Sequence, residues 1–137
     1  MNGHSIIILD KDYAFINNGS LTIIDSVLTD ATSTAASVIE NRNTSGGATL
    51  GTAIYNATGA TLTLGIEDAT VHPYVPTIIG NQNAVENNGT FNMFDGILKA
   101  IDSPVGGTST TFNAPTGYTY QVVTEDGIKV FTLKVIE

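Results

Sequence analysis

His4 and His72 are the only imidazoles of this chain, cysteine is absent, and 13 acidic side chains outnumber five basic ones. These counts bound the chemistry open to it. Without cysteine there is no thiol nucleophile, no Cys-ligated zinc and no disulfide framework. The sequence holds no His-Glu-x-x-His motif, no Gly-x-Ser-x-Gly elbow, no P-loop and no G-x-G-x-x-G fingerprint. The carboxylates remain as candidates. A glycosidase needs two of them about 5–10 Å apart, and neighbouring strands lie about 4.8 Å apart. Asp25, Glu67, Asp68 and Asp95 would meet that distance if strands carrying them stacked in register. Against this, Asp25, Asp68 and Asp95 each precede a small residue at one recurring position, which is where a turn places an aspartate. Turn formation is the reading adopted, and no catalytic residue is assigned.

Binding is a looser requirement than catalysis. Tyr55 stands between Ile54 and Asn56 and is expected to face outward, where a tyrosine ring can stack on a sugar. His72 and Tyr74 belong to His72-Pro-Tyr-Val-Pro76, a segment that reads as a protruding loop because proline interrupts a strand ladder. Tyr55, His72, Tyr74, Glu67, Asp68 and Asp95 are therefore the candidate ligand-binding residues. Asp10 and Asp12 flank Lys11, and Glu67 adjoins Asp68, but no calcium loop of the D-x-[DN]-x-[DN]-G type occurs. No metal and no cofactor is expected. Of the sequons at Asn18, Asn43, Asn56 and Asn88, the three at Asn18, Asn56 and Asn88 fall at recurring turns, which explain them without a glycan. Lys11, Arg42, Lys99, Lys129 and Lys134 are scattered, and the formal net charge is −8. That excludes nucleic acid and anionic membrane surfaces as partners. A single arginine also argues against polysaccharide lyase chemistry. No apolar stretch approaches the roughly 20 residues of a membrane span, so no membrane insertion is expected.

The elements that must position these residues are strands. The 137 residues suit one domain. Charged residues make up 13%, against a usual value of about 25%. Amphipathic helices need those charges on their wet face. Ile, Val and Thr are abundant instead, and turn formers recur every few residues, so the chain reads as all-β with many short strands. The one helical possibility is Asp30–Arg42, around Ala35-Ala36.

Three segments repeat. They are Ala14–Leu28, Ala53–Val71 and Ala84–Leu98, spaced by 39 and 31 residues, with a weaker copy at Val38–Asn41. Each runs Ala, an aliphatic or aromatic residue, any residue, Asn, a Gly turn, alternating apolar residues, then Asp. Long, similar units suit a parallel β-solenoid, and a spacing of 39 would hold two coils of roughly 20 residues. The alternation puts Leu21, Ile23, Leu62, Leu64, Phe91 and Met93 inside, joined by Phe15, Ile54 and Val85. Thr22, Thr63 and Asn92 face out. Asn17, Asn56 and Asn87 would share one bend and form an asparagine ladder.

This Ala-Ile-x-Asn-x-Gly-x-Leu-Thr-Ile-x-Asp pattern, fullest in Ala84–Leu98, resembles the repeats of bacterial surface proteins with a parallel β-helix, the adhesin-like and autotransporter-like passengers with pectin-lyase-like folds. It covers roughly residues 5–103. The resemblance implies a right-handed coil, an extracellular or cell-surface location, and contact with a host or cell-surface glycan or protein. The opening Met-Asn-Gly-His-Ser is too short and polar for a signal peptide, so the expectation is a segment of a longer secreted protein.

The ends complete the reading. Ser5, Ile6, Ile7, Ile8 and Leu9 form a short apolar strand, a candidate for strand addition to another copy. Residues 104–111 read as a linker or wide loop. Asp126-Gly127 joins two alternating runs into a hairpin, in which Val130, Thr132 and Lys134 are further assembly candidates. The expected architecture is thus one domain: a β-solenoid over residues 1–103, capped by the hairpin within residues 104–137. The expected function is a non-catalytic structural or adhesive module, assembling end to end with copies of itself into fibres. A carbohydrate-binding or carbohydrate-cleaving β-helix is the first alternative, and a trimeric phage fibre or tailspike segment is the second.

Overall fold

The computed structural model describes residues 3–25, 37–44, 51–67, 71 and 76–137. Among them there is no helix. The chain enters β1 (Ser5–Ile8), β2 (Tyr13–Asn17) and β3 (Ser20–Ile23), then β4 (Val38–Asn41), β5 (Thr52–Asn56) and β6 (Thr61–Leu64). It continues through β7 (Thr77–Gly80), β8 (Asn83–Asn87) and β9 (Thr90–Met93), then β10 (Ile97–Ala100), β11 (Ser103–Gly106) and β12 (Phe112–Asn113). The last two strands are β13 (Tyr118–Glu125) and β14 (Ile128–Val135). Each group of three visits three sheets in the same order. Two sheets are wholly parallel, ordered β11-β8-β5-β2 and β12-β9-β6-β3. The third is six-stranded and mixed, ordered β1-β4-β7-β10-β14-β13. An all-β chain of stacked parallel strands is compatible with a β-solenoid.

Register follows the repeats. Phe15, Ile54 and Val85 are direct partners, as are Leu21, Leu62 and Phe91, and Ile23, Leu64 and Met93. Their side chains enter one core, in which Ile54, Leu62, Leu64, Val85, Phe91 and Met93 are fully buried. Leu21 and Phe15 pack against it from the first, half-covered rung. The third sheet adds Ile39, Ile78 and Leu98. Each such burial contributes about 1.5–3 kcal/mol. Thr22 is exposed, and Thr63 and Asn92 are half-buried on the outer side.

Three expectations are corrected here. The spacing of 39 residues is one step between neighbouring strands, since Asn17 pairs directly with Asn56, and it does not hold two coils. Only the last step is short, with Asn83 opposite Ser103. The additional length of the earlier steps includes residues 26–36, 45–50, 68–70 and 72–75, which lie outside the described residues. The helical possibility at Asp30–Arg42 fails where it is described, because Val38–Asn41 is a strand with alternating burial. Two β-branched residues in succession favour the pleated surface. Nor is Val38–Asn41 a fourth copy in line with the others, since β4 belongs to the six-stranded sheet.

The C-terminal part is more ordered than a linker. Ser103–Gly106 pairs with β8 although it contains Pro104. The Ser103 amide donates to the Gln82 carbonyl, so the next nitrogen, that of Pro104, faces the free edge where no donor is needed. Asp126 and Gly127 both have positive φ, 51° and 81°, as a two-residue hairpin turn of the primed kind requires. The hairpin docks by β14, antiparallel to β10, and buries Phe131 and Leu133 in the core. Phe131 stacks on Tyr120 at 4.7 Å and meets Phe112 edge-on. A further correction follows for Val130, Thr132 and Lys134. Their strand pairs with β13 along its length and with β10 at Lys129–Thr132, so Val130 and Thr132 lie between two strands, Lys134 pairs with β13 alone, and β13 is the outer strand.

Candidate functional site

The recurring asparagines occupy the bend between the two parallel sheets. The Asn17 side-chain amide donates to Asn56 Oδ1 at 2.8 Å, and that of Asn56 donates to Asn87 Oδ1 at 2.8 Å. Each amide also reaches a backbone carbonyl, Thr61 for Asn17 and Thr90 for Asn56, at 2.9 Å. Asn17 and Asn87 each accept the amide of the glycine two residues on, which closes the turn. All three are buried. A second asparagine turn, at Asn41, donates to the Lys11, Asp12 and Thr52 carbonyls and accepts the Asn43 amide. The ladder ends at Gly107, the next position along the stack. Gly107 has φ of +94°, and an added Cβ would collide with the Asn87 carbonyl. Asn87 keeps only the equivalent bond to a backbone carbonyl, that of Thr111 at 3.3 Å. These groups are committed to holding strands together and offer nothing to a ligand.

Outside, the sheet of β2, β5 and β8 carries the one cluster with binding chemistry that we identify among the described residues. Tyr13 and Tyr55 have ring centroids 5.2 Å apart. Glu86 stands opposite Tyr55 in register. The Glu86 carboxylate lies close enough to the Tyr13 phenol to act on its ionisation. Partial burial, then the charge of Glu86, the Tyr55 ring and Asp12, push the Tyr13 phenol above its ordinary value. Two rings and a carboxylate acceptor on a half-buried strand face are groups that recognise a sugar by stacking and hydroxyl bonding. The sequence singles out Tyr55, offers Tyr13 only as one of five tyrosines able to stack on a sugar, and does not point to Glu86. The signal was present in the repeat alignment, where Glu86 takes the position of Tyr55.

The carboxylates expected to matter are placed apart from this cluster. Asp25 is buried and accepts the Ser37 amide at 3.0 Å, a turn role. Asp95 is buried against Gly65, where an added Cβ would come within 2.5 Å of its carboxylate. Extending the register from Ile23, Leu64 and Met93 sets Asp25 and Asp95 two strands apart, or about 10 Å. Glu67 is exposed beyond β6. Asp68, His72 and Tyr74 lie outside the described residues. Among the described residues no group of three or more His, Asp or Glu side chains is placed to hold a metal. Of the sequon asparagines, Asn43 and Asn56 are buried, so neither presents its amide to a modifying enzyme in the folded chain.

The two ends of the stack are apolar. A hollow of about 340 Å³ at the first rung is lined by Ile6, Phe15, Ile23 and Ile39 among others. A cleft of about 320 Å³ lies under the hairpin, lined by Val105, Phe112, Tyr120, Val122 and Phe131 among others. Comparison of the chain with protein-family models, with curated proteins and with solved structures finds no match.

Proposed function

We propose that this chain is a non-catalytic structural module, a single-chain parallel β-helix of right hand with the β13–β14 hairpin as its cap, serving in an extracellular or cell-surface protein. The observation that supports the reading most is the fate of the polar groups. The asparagines, Asp25 and Asp95 are buried at bends, where they bond or pack against the backbone that joins one strand to the next. What the described residues leave to the solvent is a mixed surface of Thr, Asn and Ser with exposed apolar residues such as Ile7, Ile16 and Val123, carried on stacked strands. Such a module works by geometry, holding its outer face at a set place for a partner to meet.

The test is incubation of the purified chain with a panel of polysaccharides, followed by a reducing-sugar assay. No release is expected, from the native chain or from Asp95→Asn and Glu67→Gln. Release that either substitution abolished would defeat the proposal.

A second reading, carbohydrate binding without cleavage, is favoured by the Tyr13–Tyr55–Glu86 cluster. Binding on a glycan array that Tyr55→Ala removes, with the circular dichroism spectrum unchanged, is the result that reading expects. Binding indifferent to Tyr55→Ala would count against it.

A further inference from the structure

We infer that copies of this chain join head to tail through the six-stranded sheet, the edge of β1 that no described strand covers in one copy pairing in parallel with the like edge of β13 in the next. The inference rests on the structural-module reading and names that module's partner as a second copy.

Strand polarity comes first. β1, β4, β7 and β10 run parallel, β14 runs against them, and β13 runs against β14. The hairpin reverses direction twice, so β13 presents an edge of the same polarity as β1. A second β1 placed there continues the parallel rule that builds the rest of the sheet.

The side chains agree. Across the sheet, Ile6, Ile39, Ile78, Leu98, Phe131 and Val122 form one in-register row on the core side. The four middle members are at most 5% exposed, whereas the end members Ile6 and Val122 are 38% and 48% exposed. The adjacent row on the outer side ends likewise on exposed apolar residues, Ile7 and Val123. Setting Ile6 against Val122 buries both row ends at once, and a slip of one residue would turn every side chain to the wrong face.

Charge points to the same contact. Two copies of net charge −8 repel, yet Ser5–Ile8 and Tyr118–Thr124 contain no charged residue. Neither edge carries the lysine, proline or bulge that ordinarily blocks strand addition. The other edges at the hairpin end are blunted, β11 by Pro104 and β12 by its length of two residues. The joint therefore runs through the six-stranded sheet alone, and brings the apolar cleft of one copy to face the apolar hollow of the next. Because the two surfaces differ, the contact is heterologous and does not close, so it propagates into a filament unless a rotation happens to form a ring.

The experiment is light-scattering mass of the full chain over a concentration series, with Ile7→Lys and Val123→Lys measured alone and mixed. Both positions are solvent-exposed, and circular dichroism checks that each variant is folded. The native chain is expected to grow in mass with concentration and to show linear assemblies in electron micrographs. Each variant alone is expected to stay monomeric. The equimolar mixture is expected to stop at a pair, because each variant keeps one intact edge. A monomeric native chain overturns the joint, as does a mixture that stays monomeric. Val123→Lys dimerising alone would mean that two first rungs meet. Ile7→Lys dimerising alone would mean that two hairpins meet. Either overturns the head-to-tail contact. A monomer without sugar release defeats the joint and leaves the module reading standing, whereas sugar release by a filament does the reverse.

Discussion

Asn56 shows how one side chain joins three rungs. It accepts from Asn17 and donates to Asn87 and the Thr90 carbonyl, with no exposure to water. Truncation to alanine removes all three bonds and leaves the Thr90 carbonyl without its amide partner. Asn56→Ala is expected to lower unfolding stability by about 2–4 kcal/mol in urea titrations. Asn56→Asp, nearly the same shape, is expected to cost more at neutral pH, because a buried carboxylate would face the Asn87 carbonyl oxygen. Equal effects of the two substitutions would show that shape and not donation matters there. Tyr13 gives a different test. Its phenol is held above the ordinary tyrosine value, by partial burial first and Glu86 second. A raised value in the folded state means that the proton is held more tightly there than in the unfolded chain. The associated stability is present below about pH 10, the unfolded tyrosine value, and is lost as pH rises through the folded one. Ultraviolet titration should therefore find one tyrosine ionising late, absent from Tyr13→Phe. If the late step persists in that variant, the assignment to Tyr13 is wrong.

Strands and turns differ in how plainly they can be read. The hairpin was legible because Asp-Gly between alternating runs has few other uses, and Asp126 and Gly127 adopt the positive φ that the pair permits. Gly127→Val puts a β-branched residue where φ is +81°, and is expected to cost more than about 1 kcal/mol in thermal or urea unfolding. Gly107→Ala is expected to be worse, since the added carbon meets the backbone carbonyl of Asn87, at the end of the ladder. Retained stability in Gly107→Ala would mean that the turn can shift away. Which hairpin strand lies outermost was not legible. Both alternate, and the choice rests on β14 bringing Phe131 opposite Leu98 over the end of the core. Strand β4 was misread for a related reason. Its sheet lacks the Asn-Gly signature of the other two, so nothing in Val38–Asn41 announces its partners.

For the molecule as a whole, the hairpin is what finishes the stack. Removing residues 118–137 would free the edge of β10 and uncover Leu98 and Phe112. The truncated chain is expected to aggregate, judged by light scattering against the full chain. A soluble, folded truncation would show that the four strand groups are complete without their cap. The all-β class, the inward faces and the alignment of Asn17, Asn56 and Asn87 were readable from residue order alone. These depend on local alternation and on turn residues, which act over a few positions. The step of 39 residues between touching strands, the edge position of β13 and the meeting of Tyr13 with Glu86 were not. Loop-closure entropy rises only slowly with length, so the number of residues between two strands says little about which strands touch. That choice was left to the core, where pairing is settled by which rows of side chains exclude water together.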